Sequence, residues 1–497
     1  MKTCLASWFV PCLIVAMAMW PAAAGKLELG TIEPLVRVVD LDVGESADVE
    51  LCDGSRVQVR LVSLDESRDP IRHAVRHVKL VVEIDGQTRA LEAGPYRLPV
   101  KVGDVQVDCS VTRGLNSNGT PAFWGLGKDA RLRFWPKDSP LFRPGTIIYP
   151  VKQDWFATRT WFDNEVVDGG PSVRKQIYYH AGMDIGASEA LCEVIAATDA
   201  LVVQRGTDVL EGHAQDTPAT PRYDVVYLLD ARGWYYRYSH LKEIARDIRP
   251  GRVIRKGELV GLAGKEGDSG GWSHLHFEIK SRQPSGEWGT QAAFALLRQA
   301  YLEEFDLKLY ANARPAHFLV AGEETTLDGT RSWSAAGQIE SFQWTLHDQT
   351  TATGAKVPVT YTEPGSYCEV LKVTDGAGNT AFDFAHVCVL DPDNLTHYPP
   401  NVNANFHPTR DLHPGDEITF KARAFRMQGG QERWDFGDGS PVQTTRSPET
   451  AEPHAEDAYA EIKHRYASPG QYIVSVSRTH ANGQTATHKL CVTVDGP

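Results

Sequence analysis

The run from Ser273 to Glu278 constrains the fold of this chain more than any other stretch. It reads Ser-His-Leu-His-Phe-Glu, and polar and apolar residues alternate in it with the period of two that is typical of a β-strand. In an extended strand His274, His276 and Glu278 project from one face, while the leucine and phenylalanine point into a core. Two imidazoles on one face are costly to bury unless something binds them, and neutral imidazole is a good zinc ligand. The run therefore predicts a strand that carries part of a metal site.

Two upstream segments supply the other candidate ligands. The run Tyr-His-Ala-Gly-Met-Asp places His180 and Asp184 four residues apart, beside a glycine that lets the backbone turn closely. The run Tyr-Arg-Tyr-Ser-His-Leu alternates again, which predicts Tyr238 and His240 on a shared strand face. The ordered set of candidate site residues is His180, Asp184, His240, His274 and His276.

These three motifs, in this order, resemble the LytM/lysostaphin-type zinc metallopeptidases of family M23. The pattern of that family is HxxxD, then a histidine in a Tyr-x-His-Leu context, then HxH within a His-Leu-His-Phe-Glu run. A glycine-rich approach at 264–271 adds to the resemblance, which covers roughly residues 173–285. The resemblance implies that Zn²⁺ is held by His180, Asp184 and His276, with water in the open fourth position.

The resemblance also makes His240 and His274 catalytic residues that face the metal without binding it. One would take the proton of the attacking water and the other would hydrogen-bond the developing oxyanion, and the sequence leaves both assignments open. For Glu278 two interpretations stay open, a carboxylate that orients a histidine or a surface carboxylate. His213, in an insertion rich in threonine and proline, is expected to be solvated rather than a ligand.

Length and charge limit the classes of function. A chain of 497 residues exceeds a single core, and about three or four domains are expected. The net charge of −13 and the lack of a basic run argue against nucleic-acid binding.

Residues 1–24 are predicted to be a secretory signal, with an uncleaved membrane anchor as the alternative. No later apolar stretch is long enough to cross a bilayer, so we expect a chain exported to the periplasm, the cell surface or the exterior.

Composition divides the rest of the chain. Residues 25–134 alternate in short runs between turn residues, which predicts an N-terminal β-rich domain. Residues 135–172 are aromatic and loop-like, and are expected to link two domains or line an edge of the cleft. The peptidase domain is placed at 173–305 and ends in a predicted helix over 290–305, which Thr290 can cap.

The C-terminal third contains a diverged repeat. Glu-Pro-Gly-Ser-Tyr at 363–367 matches Ser-Pro-Gly-Gln-Tyr at 468–472. The second copy also contains Trp-Asp-Phe-Gly-Asp-Gly at 434–439, which resembles polycystic-kidney-disease (PKD) domains, while the first copy departs from that pattern. We predict immunoglobulin-like β-sandwiches at 306–392 and 400–497. The expected fold class is mainly β, an antiparallel-sheet M23-type domain flanked by an N-terminal β domain and these two sandwiches.

Six cysteines remain after the predicted signal, and an exported chain would let them oxidise. Cys368 and Cys388 flank an apparent hairpin turn at nearly symmetric distances, and they are the first predicted disulfide. Cys52 and Cys109 are the second predicted pair. The other two cysteines stay open between disulfides and buried thiols.

The resemblance implies an exported zinc metalloendopeptidase that hydrolyses peptide bonds in peptidoglycan crosslinks, with a zinc-activated water as nucleophile. The sequence leaves open whether the bond is glycyl-glycine or D-alanyl–diaminopimelate, and it leaves the oligomeric state open. One alternative is a non-catalytic protein that binds the cell surface or wall through its sandwich repeats, and another is a secreted protease that acts on proteins. The position of residues 25–134 before the catalytic unit also suggests that they restrain its activity.

Overall fold

The computed structural model describes residues 30–116, 121–167, 177–449 and 452–496. The predicted signal at 1–24 lies outside these residues. Strands make up 47% of the structure and α-helix 4%, most strands pair antiparallel, and the predicted mainly β fold class is confirmed. Of the two α-helices in the described residues, neither has the length and apolar character that a bilayer span requires.

The N-terminal part consists of two sheets on one apolar core. Its strands are β1 (Arg37–Leu41), β2 (Ser46–Glu50), β3 (Arg56–Arg68), β4 (Val75–Ile84), β5 (Gln87–Ala93), β6 (Val100–Val102), β7 (Val105–Thr112) and β8 (Ala130–Pro136). A short helix α1 (Pro121–Trp124) precedes β8. The sheet orders are β2-β3-β4-β5 and β1-β8-β7-β6. Alternation drives this packing, because Val57, Val59 and Leu61 on β3 are buried while the residues between them are exposed.

The central part holds the site. Its elements are β9 (Thr160–Trp161), β10 (Met183–Gly186), β11 (Glu193–Ile195), β12 (Ala200–Arg205), β13 (Asp208–Val209), β14 (Val226–Asp230), β15 (Tyr235–Ser239), β16 (Leu241–Ile244), β17 (Val253–Ile254), β18 (Leu259–Ala263), β19 (His274–Arg282), β20 (Trp288–Gln291) and α2 (Phe294–Glu304). The main sheet has the order β13-β12-β14-β15-β19-β10-β9, and a smaller sheet has the order β11-β18-β16. Strand β19 thus lies between β15 and β10.

The predicted strand at the histidine run is confirmed. On β19 the side chains of Leu275, Phe277 and Ile279 are fully buried in the core. The ring of Phe277 packs against Tyr238, with ring centroids 5.2 Å apart. The histidines between these apolar residues therefore point to the opposite face of the sheet.

Helix α2 begins later than the sequence predicted, and the predicted cap is wrong. The residue before the helix is Ala293, which makes no side-chain cap, and Thr290 lies in β20. Instead, the amide of Ala293 donates to the Asp163 carboxylate at 2.9 Å. A carboxylate from 130 residues away thus accepts the hydrogen bond at the helix start that the local threonine was expected to accept.

The C-terminal part contains two sandwiches. The strands of the first are β21 (Leu309–Tyr310), β22 (His317–Val320), β23 (Glu324–Asp328), β24 (Trp333–Ser334), β25 (Ile339–Thr345), β26 (Thr351–Thr353), β27 (Lys356–Thr360), β28 (Gly365–Asp375) and β29 (Thr380–Leu390). Those of the second are β30 (Asn401–His407), β31 (Ile418–Phe425), β32 (Glu432–Asp435), β33 (Gln443–Thr445), β34 (Ala460–His464), β35 (Gly470–Thr479) and β36 (Thr485–Val494). A parallel contact between β28 and β36, at Ser366 and Ala486, joins the sandwiches into one continuous sheet.

The two predicted disulfides are wrong, since Cys52, Cys109, Cys368 and Cys388 do not form disulfides in this structure. In the β28–β29 hairpin Cys368 lies opposite His386, and Cys388 lies opposite Ser366. The observed register is shifted by two residues from the pairing that the symmetric spacing suggests, so the two cysteines are not directly opposed.

Candidate metal centre

Strands β10 and β19 bring the three predicted metal ligands together. Asp184 lies opposite His276 in the register of these strands. The Asp184 Oδ1 atom is 2.8 Å from His276 Nδ1 and 3.1 Å from His180 Nε2. One potential ligand atom from each of the three residues lies within 4.8 Å of the other two.

Gly182 explains how the chain passes between these two ligands. Its φ of +86° belongs to the left-handed region that favours glycine. A Cβ atom on Gly182 would also lie 2.8 Å from the carbonyl oxygen of Phe277 on β19. Only glycine therefore lets the segment that carries His180 and Asp184 lie this close to β19.

A turn at 162–165 holds His180 in place. The backbone amide of His180 donates to Glu165 O at 2.8 Å, and its carbonyl accepts from the amide of Asn164 at 2.7 Å. The ring Nδ1 lies 3.3 Å from Phe162 O. Because Nδ1–H donates to that carbonyl, Nε2 keeps the lone pair that a metal ligand needs.

Two buried carboxylates of this turn were missed by the sequence analysis. Asp163 accepts from the amide of Gly182 at 2.8 Å as well as from the start of α2, and burial raises its pKa to about 6. Glu165 accepts from the amide of Phe162 at 2.9 Å and from the hydroxyl of Tyr96 in the N-terminal part. The available signal was a polar Asp-Asn-Glu run within an otherwise aromatic segment.

His240 reaches the cluster by a route that the alternation did not predict. The shared face with Tyr238 is wrong, because Tyr238 lies opposite Phe277 on the core face. His240 follows the end of β15 and has a φ of +68°, which turns its side chain to the other face. Its ring centroid is 4.6 Å from that of His274 and 5.9 Å from that of His276.

Backbone carbonyls orient both predicted catalytic imidazoles. His240 Nδ1 lies 2.6 Å from Glu266 O, and His274 Nδ1 lies 3.0 Å from Trp272 O. The indole of Trp272 also stacks on the His274 ring at 3.9 Å. In both residues Nδ1–H donates to a carbonyl, which leaves Nε2 of His240 available for proton transfer, while Nε2 of His274 lies 3.4 Å from Asp184 Oδ2. Burial lowers the pKa of His240 to about 3, which keeps its ring neutral.

Glu278 is buried, so its interpretation as a surface carboxylate is wrong. Its side chain is 3% exposed, and its Oε2 lies 3.9 Å from His276 Nε2. Its Oε1 accepts from the Thr290 hydroxyl at 2.6 Å and lies 3.1 Å from Lys280 Nζ. Glu278 therefore faces the outer nitrogen of a predicted ligand, as the orienting interpretation expects.

The charges of the cluster call for a cation. Burial would raise the pKa of Asp184, yet the imidazoles of His180 and His274 hold it well below its usual range. Burial would lower the pKa of His180, yet the carboxylate of Asp184 raises it to about 9. The negative charge of a buried carboxylate among imidazoles is thus stabilised by positive charge nearby. Either protons on the imidazoles or a bound metal ion can supply that charge. Two imidazoles and one carboxylate are a donor set that fits a divalent metal.

Comparison with known families agrees with this geometry. Residues 178–287 match the model of peptidase family M23, and residues 310–389 and 403–492 each match a PKD domain model. The chain carries a peptidase family M23 domain followed by two PKD domains. The predicted resemblance is confirmed for these regions.

Solved structures with detectable similarity include three bacterial proteins. A putative glycyl-glycine endopeptidase LytM from Ruminococcus gnavus is 23% identical with a TM-score of 0.22, and the match covers 31% of this chain and 60% of that protein. A mutant catalytic domain of the prophage-encoded M23 protein EnpA from Enterococcus faecalis is 23% identical with a TM-score of 0.17, over 27% of this chain and 92% of that domain. Csd3 from Helicobacter pylori is 12% identical with a TM-score of 0.21, and the match covers 52% of this chain and 80% of that protein. The family match therefore carries the identification.

The second PKD domain contacts the M23 domain next to the site. Tyr459 accepts a hydrogen bond from the amide of Ser273 at 2.8 Å, and Arg423 donates to the carbonyl of Gly271 at 2.5 Å. These contacts hold the glycine-rich loop that leads into His274. The loop preceding β19 is thus supported by another domain, through a contact between residues 152 positions apart.

His213 lies outside the cluster. Its Nδ1 is 2.9 Å from the hydroxyl of Tyr235. Burial lowers its pKa, so the ring is neutral at pH 7. His213 therefore pairs with a tyrosine hydroxyl and takes no part in the metal cluster.

Proposed function

We propose that this chain is an exported zinc metalloendopeptidase that cleaves peptide bonds in peptidoglycan crosslinks. The M23 match supports a peptidase, and the PKD domains support a place at the cell surface or outside. One observation carries the catalytic part of the proposal. His180, Asp184 and His276 converge, and the rings of His240 and His274 lie against them with both Nδ1 atoms already occupied.

In this proposal His180, Asp184 and His276 would hold Zn²⁺, and the Glu278 carboxylate lies 3.9 Å from the outer nitrogen of His276. When bound, zinc supplies a Lewis acid that polarises the peptide carbonyl and lowers the pKa of water. The carboxylate of Asp163 and the backbone carbonyl of Glu165 support the segment that carries His180. These residues set the ligand geometry before substrate binds, which reduces the reorganisation that catalysis requires.

His240 and His274 move the protons. A neutral imidazole with Nδ1–H bound to a carbonyl offers the Nε2 lone pair, which accepts the proton of the attacking water. After that transfer the Nε2–H can donate to the oxyanion or to the leaving amine. Both residues place Nδ1 beside a backbone carbonyl, so we propose that the pair shares the two roles.

The direct test is to incubate the purified full chain with isolated sacculi and to identify the released fragments by mass spectrometry. We expect crosslink peptides to be released, release to stop with a chelator, and release to return when Zn²⁺ is added. A matched incubation with casein separates this activity from that of a general protease. If sacculi release nothing while casein is digested, the peptidoglycan substrate is wrong.

The two PKD domains favour a second candidate, a non-catalytic wall-binding protein. That candidate predicts that the chain sediments with sacculi and that no fragments appear with the wild type. The enzyme proposal predicts fragments from the wild type and none from His240→Ala or His274→Ala. Fragment release from sacculi, measured for all three proteins in the same experiment, distinguishes the two candidates.

A further inference from the structure

A guanidinium group lies on the same sheet face as the metal cluster. Arg237 on β15 is opposite Glu278 on β19, and Ser239 is opposite His276. Directly opposed residues of neighbouring strands point to the same face. Arg237 therefore stands on the site face, two residues along β15 from the position opposite His276. At about 3.4 Å per residue, this places the two positions roughly 7 Å apart along the strand.

The hydrogen-bond donors of Arg237 are unused within the part of the chain that the structure describes. The Arg237 Nε atom is buried without a hydrogen-bond partner. The closest carboxylate oxygen, Glu278 Oε2, is 3.8 Å from Nη1, which is too far for a hydrogen bond. A guanidinium carries five donors in one plane, and buried donors without acceptors are costly. The side chain is 22% exposed, so an acceptor can reach it from solvent.

Glu278 does not neutralise this group. Its Oε1 is already occupied by the Thr290 hydroxyl and by Lys280 Nζ at 3.1 Å. Arg237 and Lys280 thus both lie beside one carboxylate on this face of β15 and β19. Arg237 keeps unused donors on the face that carries His276. An anion that binds here meets a planar donor group that can hold it through two parallel hydrogen bonds.

We infer that Arg237 is a specificity residue that binds a carboxylate on the substrate residue next to the scissile bond. The inference rests on the proposed function, because it names the chemistry of the substrate at the same site. An extended peptide advances about 3.4 Å per residue, so a carboxylate on the neighbouring residue falls within reach of Arg237. A D-alanyl–diaminopimelate crosslink has such a carboxylate beside the scissile nitrogen, and a glycyl-glycine bridge has none. The structure thus favours the first kind of bond over the second.

The test compares two synthetic crosslink peptides that differ at one group. One has the free carboxylate beside the scissile bond, and the other has a primary carboxamide there. We expect kcat/KM of the zinc-loaded full chain to be about tenfold higher on the carboxylate peptide, as a charge-assisted hydrogen bond allows. In Arg237→Met the two peptides should differ by less than about threefold, and Arg237→Lys should restore part of the preference.

Arg282→Met is the matched control, because it removes the same charge from the same sheet. Its guanidinium already donates to Gly286 O and Asp216 O and lies 4.4 Å from the Trp288 ring. The control should keep the preference for the carboxylate. A purely structural role of Arg237 would slow Arg237→Met equally on both peptides, and this result would overturn the inference.

Equilibrium binding of the same two peptides separates this inference from the proposed function. If the wild type cleaves both peptides equally well, the hydrolase proposal stands and the carboxylate subsite is wrong. If it cleaves neither but binds the carboxylate peptide more tightly through Arg237, the subsite stands and the hydrolase proposal is wrong. Equal binding without cleavage contradicts both.

Discussion

The two sides of the metal cluster are supported in different ways. On the side of His180, the support comes from buried groups of the turn at 162–165, and Tyr96 of the N-terminal part reaches this turn through Glu165. On the side of His274, the support comes from the carbonyl of Trp272 in the segment that leads into β19, which the second PKD domain contacts through Tyr459. The predicted ligands thus rest on an interior network, whereas the predicted catalytic histidines rest on a loop that another domain holds.

This difference predicts that substitutions on the two sides of the cluster have different effects. Buried networks are rigid, because each unsatisfied member costs the desolvation of a polar group. A loop held by a few contacts has alternative conformations at lower cost. Damage to the first side should therefore lower metal affinity. Damage to the second side should lower the catalytic rate and leave the metal bound.

The largest expected effect comes from the histidines themselves. His276→Ala should abolish cleavage of sacculi because it removes a metal ligand, and His240→Ala should slow cleavage about 10²- to 10⁴-fold, the usual contribution of a general acid–base group. Only His276→Ala should also lose zinc, because His240 lies outside the ligand triad. Elemental analysis of the purified variants measures the bound zinc. Loss of zinc from His240→Ala would show that His240 is a ligand. The proposed division between ligands and catalytic histidines would then be wrong.

Asp163→Ala should have the next largest effect, a loss of metal affinity. It removes the acceptor for the amides of Gly182 and Ala293, which anchors both the ligand segment and helix α2. Loss of a group that orients a metal ligand typically lowers metal affinity by about 10- to 100-fold. Titration against a chromophoric chelator measures this affinity. Asp163→Asn keeps one acceptor oxygen and should lose less, so equal losses would argue against this hydrogen-bond role.

Tyr459→Phe should have a smaller effect of a different kind. It removes the hydroxyl that accepts from the amide of Ser273, and a net hydrogen bond of about 1 kcal/mol corresponds to several-fold in kcat. Zinc content should not change. Tyr472→Phe is the control, because its hydroxyl donates to Ser468 O within the same PKD domain. If both variants have the same kcat, the docking of this domain does not support catalysis.

The last effect concerns stability in acid rather than catalysis, at the contact between the two PKD domains. His488 is 1% exposed and its ring lies 5.0 Å from that of His386. Burial and the nearby guanidinium of Arg159 lower the pKa of His488 to about 3. The unfolded chain therefore binds this proton first, and the stability that the neutral ring provides is present above pH 6.5 and lost as the pH falls toward 3. At pH 5 the loss is about 2 kcal/mol.

Thermal unfolding between pH 8 and pH 5 measures this loss. The Tm of the wild type should fall more steeply with acid than that of His488→Gln. His413→Gln, at a histidine with a 57% exposed side chain in the same domain, should follow the wild type. Identical pH profiles for wild type and His488→Gln would show that this ring does not control the contact.

Local patterns in the sequence determined much of the fold and of the site. The period of two in β19 placed His274, His276 and Glu278 on one face, because alternation in a strand depends only on neighbouring residues. The matched motifs likewise indicated the M23 domain and the PKD domains, and both are confirmed. The ligand and catalytic roles of the individual histidines stay predictions.

Contacts between distant segments decided the rest. His240 turns to the site face through a left-handed backbone that the alternation around Tyr238 does not reveal. The start of helix α2 is bound by Asp163 rather than by Thr290, and the register of β28 and β29 separates Cys368 from Cys388. A hydrogen bond between residues more than a hundred positions apart leaves no periodic signal in the chain. Only the folded structure brings these groups together, because their partners are chosen by packing and not by spacing.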